Sequence, residues 1–192
     1  MKQTNSDYLS GLQQQVKQHL SDYRYQHCLR TSERAVQLAQ FNNYDTYKAQ
    51  IAGLVHDYAK ERSDEEFITM IKQEKLDADL LNYGNAIWHG IVGAFFIKYE
   101  LGIVDEDILN AVRRHTTGDV RMTTLDKIVF MADYTEPGRD FTEAEEARKI
   151  TDRDLDAGVR YQLQHTLEHL LQQKRQIYPL TIASYNEWVV QK

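Results

Sequence analysis

Residues 53–61 read GLVHDYAKE, an apolar run that ends in a histidine followed directly by an aspartate, His56 and Asp57. The surrounding spacing predicts that a helix leaves the core at this point. Two ionisable groups there cost desolvation free energy unless another group compensates them. An anion near a helix C-terminus also opposes the helix dipole, so Asp57 indicates a cation nearby. The rest of the chain has to supply these partners.

Helical spacing of apolar residues continues on both sides of this stretch. Tyr8, Leu12, Val16 and Leu20 recur at every fourth position, whereas no segment shows the sustained two-residue alternation typical of strands. Predicted helices cover residues 8–20, 27–41, 45–60, 64–73, 77–82, 88–101, 105–115, 123–134 and about 152–176, with a short one after Thr181. The segment 151–154, Thr-Asp-Arg-Asp, is interpreted as a capping box that opens the long helix. The sequence predicts an all-α protein with a single domain over residues 1–192.

Length and composition restrict the class of protein. The 192 residues suffice for one hydrophobic core, and 42% hydrophobic with 27% charged residues is ordinary for a soluble domain. No apolar run approaches the roughly 18 residues of a membrane span, and the N-terminus has no apolar signal region, so we expect no membrane partner. The net charge of −6 and the scattered basic residues argue against a nucleic-acid partner. The single cysteine, Cys28, suits a cytoplasmic protein and is interpreted as a packed core thiol.

Six of the histidines and aspartates fall near the ends of five predicted helices. They are His27, His56, Asp57, His89, His115 and Asp133. Helix ends can converge on one spot in a bundle, and inward-facing side chains of neighbouring helices are a common source of metal ligands. Imidazole and carboxylate together suit Fe, Mn, Co or Zn better than Ca or Mg. Because a carboxylate can bridge two cations, six such groups predict a two-metal site with positions left for water and substrate.

Basic and hydroxyl side chains lie close to these residues in the sequence. Lys60 follows the His-Asp pair by about one helical turn, Arg24 precedes His27 by one turn, and Arg139 follows a Glu-Pro-Gly turn after Asp133. Residues 116–118, Thr-Thr-Gly, follow His115. Such side chains could meet a phosphate beside bound metals, and Lys60 and Arg139 are the predicted catalytic charges. An ordinary solvated surface role stays open for each basic side chain.

The pattern His27…His56-Asp57…Asp133 resembles the signature of HD-domain metal-dependent phosphohydrolases. Longer stretches are more specific: AGLVHDYAK (52–60), WHGIVGA (88–94), RRHTTGD (113–119), KIVFMADYTEPGRDF (127–141) and the opening His27-Cys-Leu-Arg30. Together they resemble the bacterial HD-domain family that hydrolyses diadenosine tetraphosphate symmetrically, the YqeK family. The resemblance extends from about residue 20 to about residue 182.

This resemblance implies an HD-type helical bundle that cuts diadenosine tetraphosphate at its centre into two ADP, using a hydroxide activated on two metals. One metal would be held by His27, His56, Asp57 and Asp133, and the second by Asp57, His89 and His115. The family is associated with a di-iron centre, with manganese or cobalt as alternatives. The partners implied are a dinucleoside polyphosphate substrate and a nucleoside diphosphate product, and a homodimer stays open.

The nucleotide contacts expected from the same resemblance extend over several motifs. They are Arg24, Lys60, His89, His115, Thr116, Thr117, Gly118, Asp133, Arg139, Gln176, Ile177, Tyr178, Pro179, Leu180 and Thr181. From the residues alone, Tyr178 and Pro179 could equally be a helix stop with core packing.

Two other functions remain open at this point. The first is an HD-type phosphohydrolase acting on a nucleoside monophosphate, a cyclic nucleotide or a guanosine polyphosphate. The second is a metal-binding sensor or scaffold with weak turnover. A separate pattern, His165-Thr-Leu-Glu-His169, has the spacing of a zinc-protease motif, but it is short and lies on a polar helix, so we interpret it as a solvated face.

Overall fold

Eleven α-helices and one short 3₁₀ helix make up residues 5–190, the part of the chain described by the computed structural model. The helices are α1 Asn5–His19, α2 Asp22–Phe41, α3 Thr46–Val55, α4 Asp64–Gln73, α5 Asn85–Ile91, α6 Gly93–Glu100, α7 Glu106–Arg114, α8 Thr124–Thr135, α9 Thr142–Thr151, α10 Leu155–Gln172 and α11 Pro179–Trp188, with the 3₁₀ helix at Ala78–Asn82. Within residues 5–190 there is no strand, which confirms the predicted all-α single domain.

Helix α3 lies at the centre of the bundle and packs against α2, α7 and α8. The closest approach is at Gly53, where a Cβ atom would lie 2.9 Å from the Cα atom of Ser32 on α2. Only glycine permits this backbone separation without a shift of the neighbouring helix. The approach places the C-terminal end of α3, with His56, beside the second turn of α2, which carries His27.

Three boundaries around the predicted site differ from the sequence prediction. Helix α3 ends at Val55 and not at residue 60, since residues 56–61 form successive turns. His56 Nδ1 bonds at 2.7 Å to the carbonyl of Gly53, which would accept from Asp57 in a continued helix. The predicted helix 88–101 is two helices broken at Val92. His27 and His89 therefore lie within α2 and α5 and do not open them.

The C-terminal third contains one helix that the sequence analysis missed. Helix α9 buries only alanines and its terminal Thr151, so its apolar stripe is too weak to recognise. Thr151 ends α9 with its hydroxyl donating to Ala147, and Asp154 is the N-cap of α10, so the predicted capping box is wrong. The last helix begins at Pro179 and not after Thr181, because proline is favoured in the first helical turn. Across residues 5–190, no helix is both long and apolar enough to cross a membrane.

Candidate metal and phosphate site

The six predicted ligand side chains converge at one place in the bundle. They come from α2 (His27), the turn after α3 (His56 and Asp57), α5 (His89), the C-cap of α7 (His115) and the last turns of α8 (Asp133). The shortest separations are 3.0 Å between His27 Nε2 and Asp133 Oδ1 and 3.0 Å between His89 Nε2 and His115 Nε2. All but Asp133 are buried. The tertiary structure therefore gathers residues that are more than a hundred positions apart.

Asp57 lies between two groups of imidazoles. Its Oδ2 atom is 3.7 Å from His27 Nε2 and 3.6 Å from His56 Nε2. Its Oδ1 atom is 3.4 Å from His89 Nε2 and 3.7 Å from His115 Nε2. Each carboxylate oxygen thus faces one pair of rings. Ligand atoms also come within metal-binding range of one another in a group formed by His56, His115 and Asp133.

An unpartnered buried oxygen atom is independent support for a cation in this cluster. Asp57 Oδ1 is buried and has no hydrogen-bond partner, which is uncommon for a carboxylate oxygen because desolvation without compensation is costly. Four imidazoles and two carboxylates form a donor set typical of divalent transition metals. The cluster therefore indicates divalent metal binding.

The four imidazole rings are oriented by bonds at their Nδ1 atoms. Three of them bond at 2.7 Å to main-chain carbonyls three or four residues earlier: His56 to Gly53, His89 to Asn85 and His115 to Val112. The fourth ring, His27, bonds at 3.1 Å to Glu136 Oε1. A neutral ring with its proton on Nδ1 presents the Nε2 lone pair to the cluster, as metal ligands require.

Glu136, which the sequence indicated only as part of a turn, contacts the candidate ligand His27. It is buried, and besides His27 it accepts hydrogen bonds from Arg30 Nε at 2.6 Å and from the Gly138 backbone at 2.5 Å. Burial alone would raise the pKa of Glu136, but the bonds from Arg30, Gly138 and His27 lower it. Glu136 is therefore an ionised carboxylate behind a candidate ligand. The pattern His27-x-x-Arg30 followed by Glu136 carried no recognisable signal for this pairing.

The pKa values of two carboxylates and one histidine are shifted towards the protonation states that a metal site needs. At His56, burial lowers the pKa, but Asp57 and Asp133 outweigh it and raise the pKa. Burial alone would raise the pKa of Asp57, yet the surrounding imidazoles and Lys60 hold that pKa well below its ordinary value. Burial also opposes ionisation of Asp133, but the facing imidazoles of His27 and His56, together with Arg139, hold its pKa well below the usual range. Burial and Lys60 hold the pKa of His89 well below its ordinary value. Two ionised carboxylates therefore face a neutral ring.

Three basic side chains border the cluster. Arg24 Nη1 donates to Asp57 Oδ2 at 2.7 Å, and Arg139 Nη2 donates to Asp133 Oδ1 at 2.6 Å. Lys60 Nζ lies 3.1 Å from His89 Nε2. Burial lowers the pKa of Lys60 despite the attraction of Asp57. These side chains meet the cluster directly, so the solvated-surface interpretation does not hold for them.

The two other predicted nucleotide segments differ in their surroundings. The Thr116 hydroxyl lies 3.0 Å from His89 Nε2 and so borders the cluster. Thr117 is buried with its hydroxyl donating to the Gly118 carbonyl, and Gly118 adopts φ +65°. A Cβ atom on Gly118 would lie 3.3 Å from side-chain atoms of Leu163 and Ser184. Thr117 and Gly118 thus have structural contacts, and their nucleotide contact stays a prediction.

The segment 176–181 is anchored by an aromatic pair. The rings of Tyr178 and Tyr83 pack edge to face with centroids 4.8 Å apart. Tyr83 precedes Asn85, whose side-chain amide donates to the carbonyl of Lys60 at 2.9 Å. The segment is therefore tied to the wall that carries Lys60, while its contact with a nucleotide stays a prediction.

The structure confirms the sequence-based interpretation of Cys28 and only part of the interpretation of the His165–His169 pattern. Cys28 is buried, and burial raises its pKa well above the ordinary value, which confirms a packed core thiol. His165 is half-buried, stacks edge to face on Tyr161 and bonds to Glu168 at 3.0 Å, so a solvated face describes His169 but not His165. Among residues 5–190, neither histidine belongs to a group of three ligand atoms that could hold a metal.

Comparison with known proteins defines the class. A family model described as the HD domain matches residues 24–138, and the chain belongs to the HD-domain family. Within that family, the chain is 41% identical over 179 residues to a protein of Halalkalibacterium halodurans named "Bis(5'-nucleosyl)-tetraphosphatase, symmetrical", covering 93% of this chain and 96% of that protein. A Bacillus subtilis protein with the same name is 40% identical over 175 residues, covering 91% and 94%. The resemblance drawn from the motifs is therefore confirmed.

A solved structure agrees with the fold. A crystal structure from Clostridium acetobutylicum, described as a predicted HD superfamily hydrolase involved in NAD metabolism, superimposes with a TM-score of 0.89. The two chains are 36% identical, and the match covers 94% of this chain and 96% of the other.

Proposed function

We propose that this protein hydrolyses diadenosine tetraphosphate at its central phosphoanhydride and releases two molecules of ADP. The observation that carries the proposal is the position of Asp57, whose two oxygens face separate pairs of imidazoles in a cluster bordered by three basic side chains. Two relatives that match this chain almost end to end are named symmetrical bis(5'-nucleosyl)-tetraphosphatases.

The proposed site holds two metals that share Asp57. The first would be bound by His27, His56, Asp57 and Asp133, and the second by Asp57, His89 and His115. Iron is the proposed metal, with manganese or cobalt as alternatives compatible with the same nitrogen and oxygen donors. When bound, the two ions supply positive charge to the attacked phosphoryl group and hydroxide from water near neutral pH.

The chain's own side chains bind and orient the polyphosphate. Lys60 and Arg139, at opposite ends of the cluster, would contact the oxygens of the central phosphates and offset the charge that grows on them. Arg24 and the Thr116 hydroxyl would contact neighbouring phosphate oxygens. In the reaction, a water oxygen bonds to one central phosphorus while the bridging P–O bond breaks. The electron pair stays on the departing ADP, and the water proton passes to solvent.

One nucleoside would lie along residues 176–181. Tyr178 offers an aromatic face there, and the segment is tied through Tyr83 and Asn85 to the backbone of Lys60. The predicted nucleotide contacts in this segment are Gln176, Ile177, Tyr178, Pro179, Leu180 and Thr181.

Product analysis tests the proposal. Metal-loaded wild-type protein should convert diadenosine tetraphosphate into ADP as the sole nucleotide product. Equal amounts of AMP and ATP would mean an off-centre cut and would contradict the proposal. Turnover restricted to a nucleoside monophosphate, a cyclic nucleotide or a guanosine polyphosphate would indicate another HD-type phosphohydrolase, and no turnover of any nucleotide would indicate a sensor or scaffold.

A charge-removing variant tests the role of the basic side chains. Arg139→Met should lower turnover roughly 10- to 1000-fold, the scale of losing one transition-state charge contact, with metal content unchanged. Arg121, an exposed arginine after the His115 loop, gives the matched control Arg121→Met, which should stay within about twofold of wild type. Sedimentation of the same preparations would test the homodimer left open by the sequence.

A further inference from the structure

A cavity of about 480 Å³ lies between the end of α8, the start of α9 and the second half of α10. Its walls include the rings of Tyr134, Phe141 and His165 and the carboxylates of Glu143 and Glu168. The volume is within the range of about 300 to 1,000 Å³ found for small-molecule sites. Neither the predicted metal ligands nor the predicted nucleotide contacts line it.

The cavity and the predicted phosphate end of the site share one stretch of chain, residues 133–141. Tyr134 directly follows Asp133, and Phe141 lies two residues after Arg139, whose guanidinium bonds to Asp133. Tyr134 and Phe141 pack edge to face with ring centroids 5.3 Å apart. The two rings of the cavity wall thus follow, within one and two residues along the chain, the cluster residue Asp133 and its partner Arg139.

The turn that joins Asp133 of the cluster to Phe141 of the cavity wall is fixed by one arginine. Arg148 of α9 donates to the carbonyls of Thr135 and Glu136, each at 2.9 Å, and also to the carbonyl of Arg139. One arginine thus fixes the backbone that presents Arg139 to the cluster and Phe141 to the cavity. A fixed wall of this kind can bind a flat ligand without ordering a loop first.

The chemistry of the walls selects for a base and against a phosphate. Aromatic rings bind the faces of nucleobases in a sequence-tolerant way. Glu143 and Glu168 would repel phosphate oxygens but can accept hydrogen bonds from an exocyclic amino group. Arg139 supplies positive charge at the cluster, where it bonds to Asp133, whereas the cavity carries two carboxylates, so the two regions suit opposite ends of one nucleotide.

We propose that this cavity is the subsite for the second nucleoside of a dinucleoside polyphosphate, with its purine base against Tyr134 and Phe141. The inference rests on the proposed function, because a substrate cut at its centre carries one nucleoside on each side of the metals. Residues 176–181 would hold one nucleoside, and the cavity beyond Arg139 holds the other. The proposed subsite predicts that the cavity adds affinity for ligands with two nucleosides and adds none for ligands with one.

Phe141 is the residue to change because it is 38% exposed, so its loss should leave the fold intact. Phe141→Ala should raise the KM for diadenosine tetraphosphate about tenfold, within the range expected for one lost base–aromatic stack. The inhibition constant of adenosine 5'-tetraphosphate, with the same phosphates but one nucleoside, should stay within twofold. Phe141→Tyr, which keeps an aromatic ring, should restore the KM to within about twofold of wild type.

Phe41 supplies the matched control, since it is a 57% exposed phenylalanine at the other end of α2, about 20 Å along that helix from His27. Phe41→Ala should leave both constants within twofold. If Phe141→Ala weakens both ligands equally, or neither, the second subsite is overturned while the proposed function stands. If wild-type protein releases no ADP from diadenosine tetraphosphate, both proposals fall.

Discussion

Replacing Glu136 by glutamine should weaken metal binding although Glu136 is not itself a proposed ligand. Its Oε1 atom faces His27 Nδ1 at 3.1 Å, and its Oε2 atom accepts from Arg30 Nε at 2.6 Å and from the Gly138 backbone at 2.5 Å. A glutamine amide is nearly the same shape but has one oxygen and one NH₂ group. Placing the NH₂ group on the Oε2 side would oppose the short bonds from Arg30 Nε and the Gly138 backbone. Placing it on the Oε1 side opposes only the longer bonds from His27 Nδ1, at 3.1 Å, and Arg30 Nη2, at 3.3 Å. We therefore expect the bond to His27 to be lost.

The size of the effect follows from what that bond does. The carboxylate holds the proton of His27 on Nδ1 and keeps Nε2 directed at Asp133, 3.0 Å away. Loss of such a partner behind a metal ligand usually costs about 10- to 100-fold in metal affinity. This corresponds to about 1.4 to 2.8 kcal/mol, the scale of one hydrogen bond to a charged group.

Titration of metal-free protein with Co²⁺ or Mn²⁺ measures the change directly. The variant Glu100→Gln is the matched control, because Glu100 also pairs with an arginine, Arg62, and accepts from the Tyr58 hydroxyl at 2.6 Å, but touches none of the six cluster residues. It should keep the wild-type metal affinity to within about twofold. If folded Glu136→Gln protein binds metal as tightly as Glu100→Gln protein, the positioning argument for Glu136 is wrong.

Three further predictions address the cluster and the fold. Asp57→Ala should lose both metals by elemental analysis, whereas His89→Ala should keep one, and full metal content in Asp57→Ala would exclude a bridging role. Lys60→Met should lower turnover of diadenosine tetraphosphate roughly 10- to 1000-fold with unchanged metal content. If metal content falls by the same factor as turnover, Lys60 maintains the metal site and does not contact the phosphates. Gly53→Ala should lower the free energy of unfolding in urea by about 1 to 3 kcal/mol, because the new Cβ atom would lie 2.9 Å from a backbone atom of α2. Gly11→Ala, with no atom within 4 Å of its Cβ position, should be neutral or stabilising by up to about 1 kcal/mol, and equal effects at both glycines would contradict the packing argument.

Local patterns in the sequence were sufficient for the fold class and for the identity of the cluster residues. Apolar stripes at helical spacing persist through most of the chain, and they predicted ten of the helical segments with boundary errors of a few residues. The His-Asp pair stood out because two ionisable groups at the end of an apolar run need compensation. The same local signal failed for α9, whose buried face is built from Ala144, Ala147 and Thr151.

Only the tertiary structure decided how the gathered groups face one another. The two oxygens of Asp57 face separate pairs of rings from the turn after α3, which ends at Val55, where His56 Nδ1 bonds to the Gly53 carbonyl. The pairing of Glu136 with His27 joins residues 109 positions apart. Spacing along a chain records which side chains share one helix face, but distances between helices depend on how closely their backbones pack. Here that separation is set by contacts such as Gly53 against Ser32, which no local pattern encodes.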